Sequence, residues 1–381
     1  MKINIASLTA LREYLDEMMY ALVDVRLSLE VPRLLTGFPQ FESLQQALKR
    51  LDHGHQTLFR LFRAGEAVDD SSLKTAIPDR ALTALTEIEL LRRDESGMWR
   101  TPSLLIVPAE GLYLIVGVPP SYPTRTRQCS TWFDMSSYFV ASALPRSLRG
   151  RRALDICSGS GLQALLCAAR GADAVVGLEL NQEAVETARA NAILNGLDDR
   201  VEFRQSDMLA AVGGSETFDF IVCNTPYAPV IGGDEAPRSL EEIGNSVLRG
   251  VPAQLPAHLS ERGRGVIGTW RSIGYQSVTY QMQYIASELE KQGFAIFAYV
   301  DRAPDTVDGV IRILQNDLSE RPGLGPAQAE EIVKLVREMI EKSEQPVDGF
   351  YNQLIYFQKG KIESAGSERA VFGLSPPASK N

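Results

Sequence analysis

Four short stretches of the 381-residue chain carry residue types that could do chemistry. The first is Asp155-Ile156-Cys157-Ser158-Gly159-Ser160-Gly161, an acidic residue followed by a run of small ones. Small residues let a strand turn sharply into a helix and let a ligand approach the backbone closely. The helix start that follows offers unpaired N–H groups and a partial positive charge to a carboxylate or phosphate. A Gly-x-Gly turn alone is equally consistent with plain strand-to-helix packing. The second stretch, about 20 residues on, ends in Gly177-Leu178-Glu179, where the acid can accept hydrogen bonds from both hydroxyls of a ribose. The third is Ser206-Asp207-Met208, where Asp207 could accept from an exocyclic amine. The fourth is Asn224-Thr225-Pro226-Tyr227.

Each stretch follows an apolar, β-rich run. Strands are expected at 152–156, 174–179, 201–205, 218–224 and 265–270, with helices between them at 162–170, 182–195 and 280–292. This alternation predicts an α/β domain with a mostly parallel sheet. All four stretches then fall at the carboxyl ends of parallel strands, where open α/β sheets bind ligands. Strands at 294–300 and 352–358 would close the sheet as an antiparallel terminal hairpin, separated by a helical insertion over 302–346. Read as a nicotinamide-dinucleotide fingerprint, the glycine pattern is incomplete, because Ala164 stands where a third glycine belongs.

This set of residues resembles the class I S-adenosyl-L-methionine (SAM)-dependent methyltransferases, over about residues 133–359. The family's first motif is an acidic residue followed by alternating glycines; here it reads Asp155-x-Cys157-x-Gly159-x-Gly161, with small Cys157 in the first glycine position. The resemblance implies a Rossmann-like sheet with SAM as cofactor. Asp155, Cys157, Ser158, Gly159 and Gly161 would hold its amino-acid part, Glu179 the ribose, and Asp207 with Met208 the adenine. Asn224-Thr225-Pro226-Tyr227 is similar to the Asn-Pro-Pro-Tyr motif of the amino-methylating branch. There the Asn oxygen and a backbone carbonyl accept two N–H hydrogens and aim the nitrogen lone pair at the methyl carbon. The Tyr ring can cover a planar acceptor or lie against the sulfonium. Thr225, in place of the first proline, keeps the carbonyl and gives up the ring's rigidity. Asn224, Pro226 and Tyr227 are thus the catalytic candidates, joined by Tyr138. Related enzymes also carry a segment like Trp132-Phe133-Asp134-Met135-Ser136-Ser137-Tyr138 before the sheet, which would bring Phe133 and Tyr138 to the sulfonium. The same stretch also suits an ordinary docking helix.

The first 125 residues read as a mostly helical, winged-helix-like unit. Apolar spacing predicts one helix over 8–29 and another over 81–91, then two strands at 104–107 and 112–118. Such a shape can read DNA or cap a neighbouring domain. With 14 Lys/Arg against 16 Asp/Glu up to Arg125, the cap is favoured. The proline-rich stretch 119–123 is a stiff linker, 126–360 the SAM-binding domain, and 361–381 a tail of disordered composition.

The net charge of −9 argues against a nucleic-acid partner. Three histidines (His53, His55, His258) are too few and too scattered for a zinc site, and His53 and His55 read as solvated. Cys129, Cys157, Cys167 and Cys223, with no close Cys-x-x-Cys pair, read as reduced thiols of a cytoplasmic protein. No apolar run reaches the ~20 residues of a membrane span, and no hydrolase elbow, Walker loop or zinc-helix motif occurs. Three functions follow. The first is N-methylation of a small molecule, such as one of secondary metabolism, or of a protein amide or amine. The second is cyclisation of SAM itself, giving azetidine-2-carboxylate and methylthioadenosine, motivated by Thr225 and the N-terminal unit. The third is a SAM-sensing, DNA-associated regulator.

Overall fold

Residues 8–29 form two helices rather than one in the computed structural model. The structure describes all residues except 33, 35–38, 120–121, 127–130, 132, 226–245, 276–277, 301–305, 320–324, 343–346 and 361–381. Helix α1 (Ile5–Glu17) starts at Asn4, whose side chain accepts the Ser7 N–H at 3.1 Å. It ends at Met18, and Met19 takes a left-handed φ of 48° before α2 (Tyr20–Ser28) begins. Four short helices follow: α3 (Phe41–Leu48), α4 (His53–Phe62), α5 (Asp70–Ala76) and α6 (Asp79–Glu87). Asp52 and Asp69 cap α4 and α5 through backbone N–H groups. His55 is not solvated: its ring contacts the Asp52 carboxylate at 2.6 Å and the Met18 carbonyl at 2.9 Å.

A small hairpin, β1 (Arg92–Arg93) and β2 (Trp99–Arg100), turns over Asp94, and a longer one pairs β3 (Leu104–Ala109) with β4 (Leu112–Gly117) antiparallel. Then come α7 (Met135–Ala143), β5 (Arg152–Ile156), α8 (Leu162–Ala169), β6 (Ala174–Glu179), α9 (Gln182–Leu194), β7 (Val201–Gln205) and β8 (Phe218–Asn224). The last elements are α10 (Ser246–His258), β9 (Leu259–Tyr275), β10 (Val278–Thr279), α11 (Tyr280–Lys291), β11 (Phe294–Val300), α12 (Val307–Ser319), α13 (Pro326–Glu341) and β12 (Gly349–Lys359). The strand expected at 265–270 is therefore the centre of a 17-residue strand.

The chain resolves into two compact units. One comprises Met1–Ala141, Leu148–Gly150 and Ser158–Ser206. It holds the N-terminal helices and hairpins, together with α8, β6, α9 and β7. Strands β6 and β7 pair parallel, Val175 with Val201 through Glu179 with Gln205. The other unit comprises Ser142–Ser147, Arg151–Cys157 and the chain from Asp207 onward. Its ladder runs β5–β8–β9 in parallel and then β9–β12–β11 antiparallel, with β10 folded back on β9. Parallel strands alternating with helices, and an antiparallel terminal hairpin, make a Rossmann-like α/β fold with a mostly helical N-terminal region. Within the second unit, Ile311, Leu318, Ala329, Ile332, Val333 and Val336 close a separate small core between α12 and α13.

Candidate active site

The turn after β5 is built on alternating left-handed backbone. Cys157, Gly159 and Gly161 have φ values of 62°, 51° and 89°. Glycine adopts this conformation freely, whereas an L side chain pays ~1–2 kcal/mol for it. Cys157 thus has the backbone that a glycine would give the motif. Gly161 is required for a second reason: a Cβ there would stand 2.7 Å from Cζ of Phe203 and 3.2 Å from Cβ of Ala188. Gly159 faces open space, with nothing among the described residues within 4 Å of a Cβ built there.

In the first unit this turn is held from the side of β6. Ser158 donates its N–H to the Leu178 carbonyl at 2.9 Å. The Glu179 carboxylate accepts the Gly159 N–H at 2.9 Å through Oε2 and the Asn181 N–H at 3.0 Å through Oε1. Asn181 caps α9 in turn, accepting from the Glu183 and Ala184 N–H groups. Ser158, Gly159, Gly161 and Glu179 are therefore brought together. The buried ring of Phe203 on β7 lies against both Gly161 and Gly177, where a Cβ would stand 2.3 Å from it. The sequence reading missed this residue; its signal is a lone aromatic in a short strand, which reads as generic core.

Phe133 and Tyr138 are also partners, with ring centroids 5.2 Å apart and planes at 70°. Phe133 is buried and Tyr138 half-buried; burial pushes the Tyr138 phenol up. Asp134 starts α7 by accepting from the Ser136 N–H at 2.8 Å. Gln163 on α8 donates to the Ser137 carbonyl at 3.1 Å. Trp132 lies outside the described residues.

In the second unit, Asp155 is fully buried at the end of β5. Ile156 pairs with Cys223 on β8, so Asn224 stands at the strand end beside the start of the turn. Cys157 and Cys223, distant in sequence and both free thiols, are hydrogen-bonded to each other. That bond, with burial added, pushes the Cys223 thiol well above its ordinary range. Thr225 is tied to the neighbouring strand β9. Its hydroxyl donates to the Gly268 carbonyl at 2.8 Å, and its N–H to the same oxygen at 3.2 Å. Asp207 is exposed on the turn after β7, and Met208 has a φ of 49°. Pro226 and Tyr227 lie outside the described residues. No cluster of His, Cys, Asp or Glu among the described residues could hold a metal ion, and no described helix is long and apolar enough to cross a membrane.

Residues 128–298 match the family model of the methyltransferase small domain. A putative protein N5-glutamine methyltransferase of Methanocaldococcus jannaschii is 31% identical over 122 residues, 30% of this chain and 60% of that protein. A ribosomal protein uL3 glutamine methyltransferase of Bordetella pertussis is 32% identical over 127 residues, 30% of this chain and 42% of that protein. A ribosomal protein L11 methyltransferase of Thermosipho africanus is 34% identical over 135 residues, 35% of this chain and 49% of that protein. The matched part thus spans between 42% and 60% of these relatives' length.

Proposed function

From the premise that residues 128–298 belong to the methyltransferase small domain family, within the class I SAM-dependent methyltransferases, we propose that this protein transfers a methyl group from SAM to an amide nitrogen of a protein side chain. The residues present fit that cofactor. The open side of Gly159 leaves room for a ligand against the backbone, and the Glu179 carboxylate retains lone pairs for a ribose diol. In this reading Asp155 and the Cys157–Gly161 turn hold the methionyl part, and Glu179 holds the ribose. Asp207 and Met208 receive the adenine, and Phe133 with Tyr138 faces the sulfonium. When bound, SAM supplies an electrophilic methyl carbon on a good leaving group.

The chain's own work is alignment. The Asn224 side-chain oxygen accepts one N–H of the acceptor amide and a backbone carbonyl of the Asn224-Thr225-Pro226 segment the other. That turns the nitrogen toward the methyl carbon and away from water. The nitrogen can lose its proton late, so no strong base is required. Tyr227 covers the planar amide. The observation that carries this reading is the place of Asn224, at the end of β8, on the strand neighbouring the one that opens the glycine turn, with Thr225 tied down behind it. The preference for a protein amide over a free small molecule rests on the relatives: two of the three are named for glutamine and all three for protein substrates.

The test combines calorimetry with product analysis. SAM should bind, and a glutamine-bearing protein acceptor should gain one methyl as S-adenosylhomocysteine accumulates. Asn224→Ala should leave SAM affinity within about threefold and lower turnover by roughly 100-fold or more. Equal loss of both would make Asn224 structural. Methylthioadenosine formed from SAM alone would replace methyl transfer with cyclisation.

A further inference from the structure

Helix α9 buries an asparagine completely. Asn191 has no exposed surface, although a buried amide left unpaired is strongly destabilising. Its amide is fully engaged, and in an unusual way. Oδ1 accepts the Ile115 N–H at 2.7 Å. Nδ2 donates to the Ile115 carbonyl at 3.1 Å and to the Ser160 carbonyl at 2.9 Å. One turn later Asn195 repeats the first half of the pattern. Its Oδ1 accepts the Tyr113 N–H at 2.9 Å and its Nδ2 donates to the Tyr113 carbonyl at 2.7 Å. Tyr113 and Ile115 are alternate residues of β4, and their edge groups face away from β3. Four helix residues advance ~6 Å and two strand residues ~6.8 Å, so two asparagines at i and i+4 can serve alternate positions of a strand edge. The two side chains act as a substitute strand along β4.

Asn191 differs from Asn195 in its third bond. Asn195 spends its remaining capacity locally, on the Asn191 carbonyl at 2.7 Å and on Arg12 at 2.9 Å. Asn191 instead reaches the glycine turn. The peptide unit joining Ser160 to Gly161 is thereby pinned at both ends. Its carbonyl is held by Asn191, and its N–H donates to the Ser158 carbonyl at 2.7 Å. That peptide unit leads directly into the left-handed Gly161 that caps α8.

We propose that Asn191 is a positioning residue: a single buried amide fastens the N-terminal hairpin to the glycine turn, so that the N-terminal region sets the conformation of the loop that grips SAM. The N-terminal region is then a fixed support of the cofactor loop and not a lid that swings free of it. The ligand part of this inference rests on the function proposed above; the mechanical part does not.

Two experiments separate these parts. In native-state hydrogen exchange of the wild-type protein without ligand, the amides of Gly161–Leu165 and those of Tyr113 and Ile115 should open together as denaturant is raised. Opening of the turn independently of β4 would overturn the proposal with no variant needed. In variants, Asn191→Asp keeps an acceptor for the Ile115 N–H but removes the donor to both the Ile115 and the Ser160 carbonyls, whereas Asn195→Ala removes the bonds to Tyr113, to the Asn191 carbonyl and to Arg12 without touching the glycine turn. Asn191→Asp should raise the SAM Kd about tenfold, the scale of the one lost buried hydrogen bond that reaches the turn, with affinities compared at a temperature where both variants are fully folded, and Asn195→Ala should stay within about twofold of wild type in affinity. Equal affinities in the two folded variants would overturn the proposal. Absence of SAM binding by the wild-type protein would overturn the functional reading while the exchange result stands.

Discussion

At position 157 a cysteine occupies backbone that most residues avoid. Its φ of 62° continues into the left-handed Gly159 and Gly161, so the turn keeps its alternating form without its first glycine. Side-chain size alone does not make this tolerable. The thiol, unbranched at Cβ, lies against that of Cys223, and such an unbranched side chain is easier to accommodate in left-handed backbone than a branched one. Cys157→Gly should therefore change unfolding free energy by no more than ~1 kcal/mol, because relieved backbone strain and added chain entropy in the unfolded state oppose each other. Cys157→Val, branched at Cβ, should cost ~1–3 kcal/mol. Urea denaturation of the two variants checks this; a valine tolerated as well as glycine would mean that the turn is not held left-handed. Thr225 makes a parallel point. Read as a sequence, it loses the rigidity of a proline, yet its hydroxyl and N–H both reach one carbonyl of β9. That anchoring depends on a strand partner 43 residues away, and no spacing rule reports it.

Among the elements, β9 and β12 run beyond the stretches expected of them and β10 gave no signal, whereas β5, β6, β7, β8 and β11 were legible to the residue. Each is a short apolar run closed by small or polar residues, as in Phe218–Asn224. Elements whose signal competes with another were not. Met18 and Met19 are apolar and prolong the apparent helix, yet the chain breaks there. Pro252 and Pro256 lie inside α10, against the usual reading of proline as a helix stop. The two-residue strands β1 and β2 carry no alternation to detect, and they are organised from outside by Asp70. This carboxylate accepts from Lys74 at 2.8 Å and from Trp99 Nε1 at 2.9 Å, and it pairs with Arg93, whose guanidinium also lies over the Trp99 ring. Lys74 first, then Trp99, with Arg93 added, holds the Asp70 carboxyl down from its ordinary 3.8 to about 2. A carboxyl lowered in the folded state stabilises it above the unfolded value and loses that effect as pH falls through the folded value. The difference in melting temperature between wild type and Asp70→Asn should accordingly be constant near neutral pH. It should shrink between about pH 4 and about pH 2. A difference that persists unchanged to the acid end would mean that the ionised carboxylate does not organise the hairpin.

For the molecule as a whole, the sequence changes texture near residue 125, but the first compact unit runs across that point and includes Ser158–Ser206. The reason lies in α9. A polar residue within a helix ordinarily marks its solvent face, so Asn191 and Asn195 give no hint that this face is buried against β4. In the fold, the edge of β4 has its hydrogen bonds completed by these two side chains. Arg12 of α1 adds a bond to Asn195 and stacks 4.6 Å over the Tyr113 ring. Removing residues 1–125 would strip α9 of these partners. It would leave a buried amide unpaired and expose the apolar surface around it, including the flank of the glycine turn. A chain that begins at residue 126 should therefore lack a cooperative thermal transition and bind SAM far more weakly than the full chain. Circular dichroism melting and calorimetry on the two chains make the comparison. If the shortened chain melts cooperatively and binds SAM with unchanged affinity, then the N-terminal region is an appendage, and the bonds between α9 and β4 contribute nothing to the loop they adjoin.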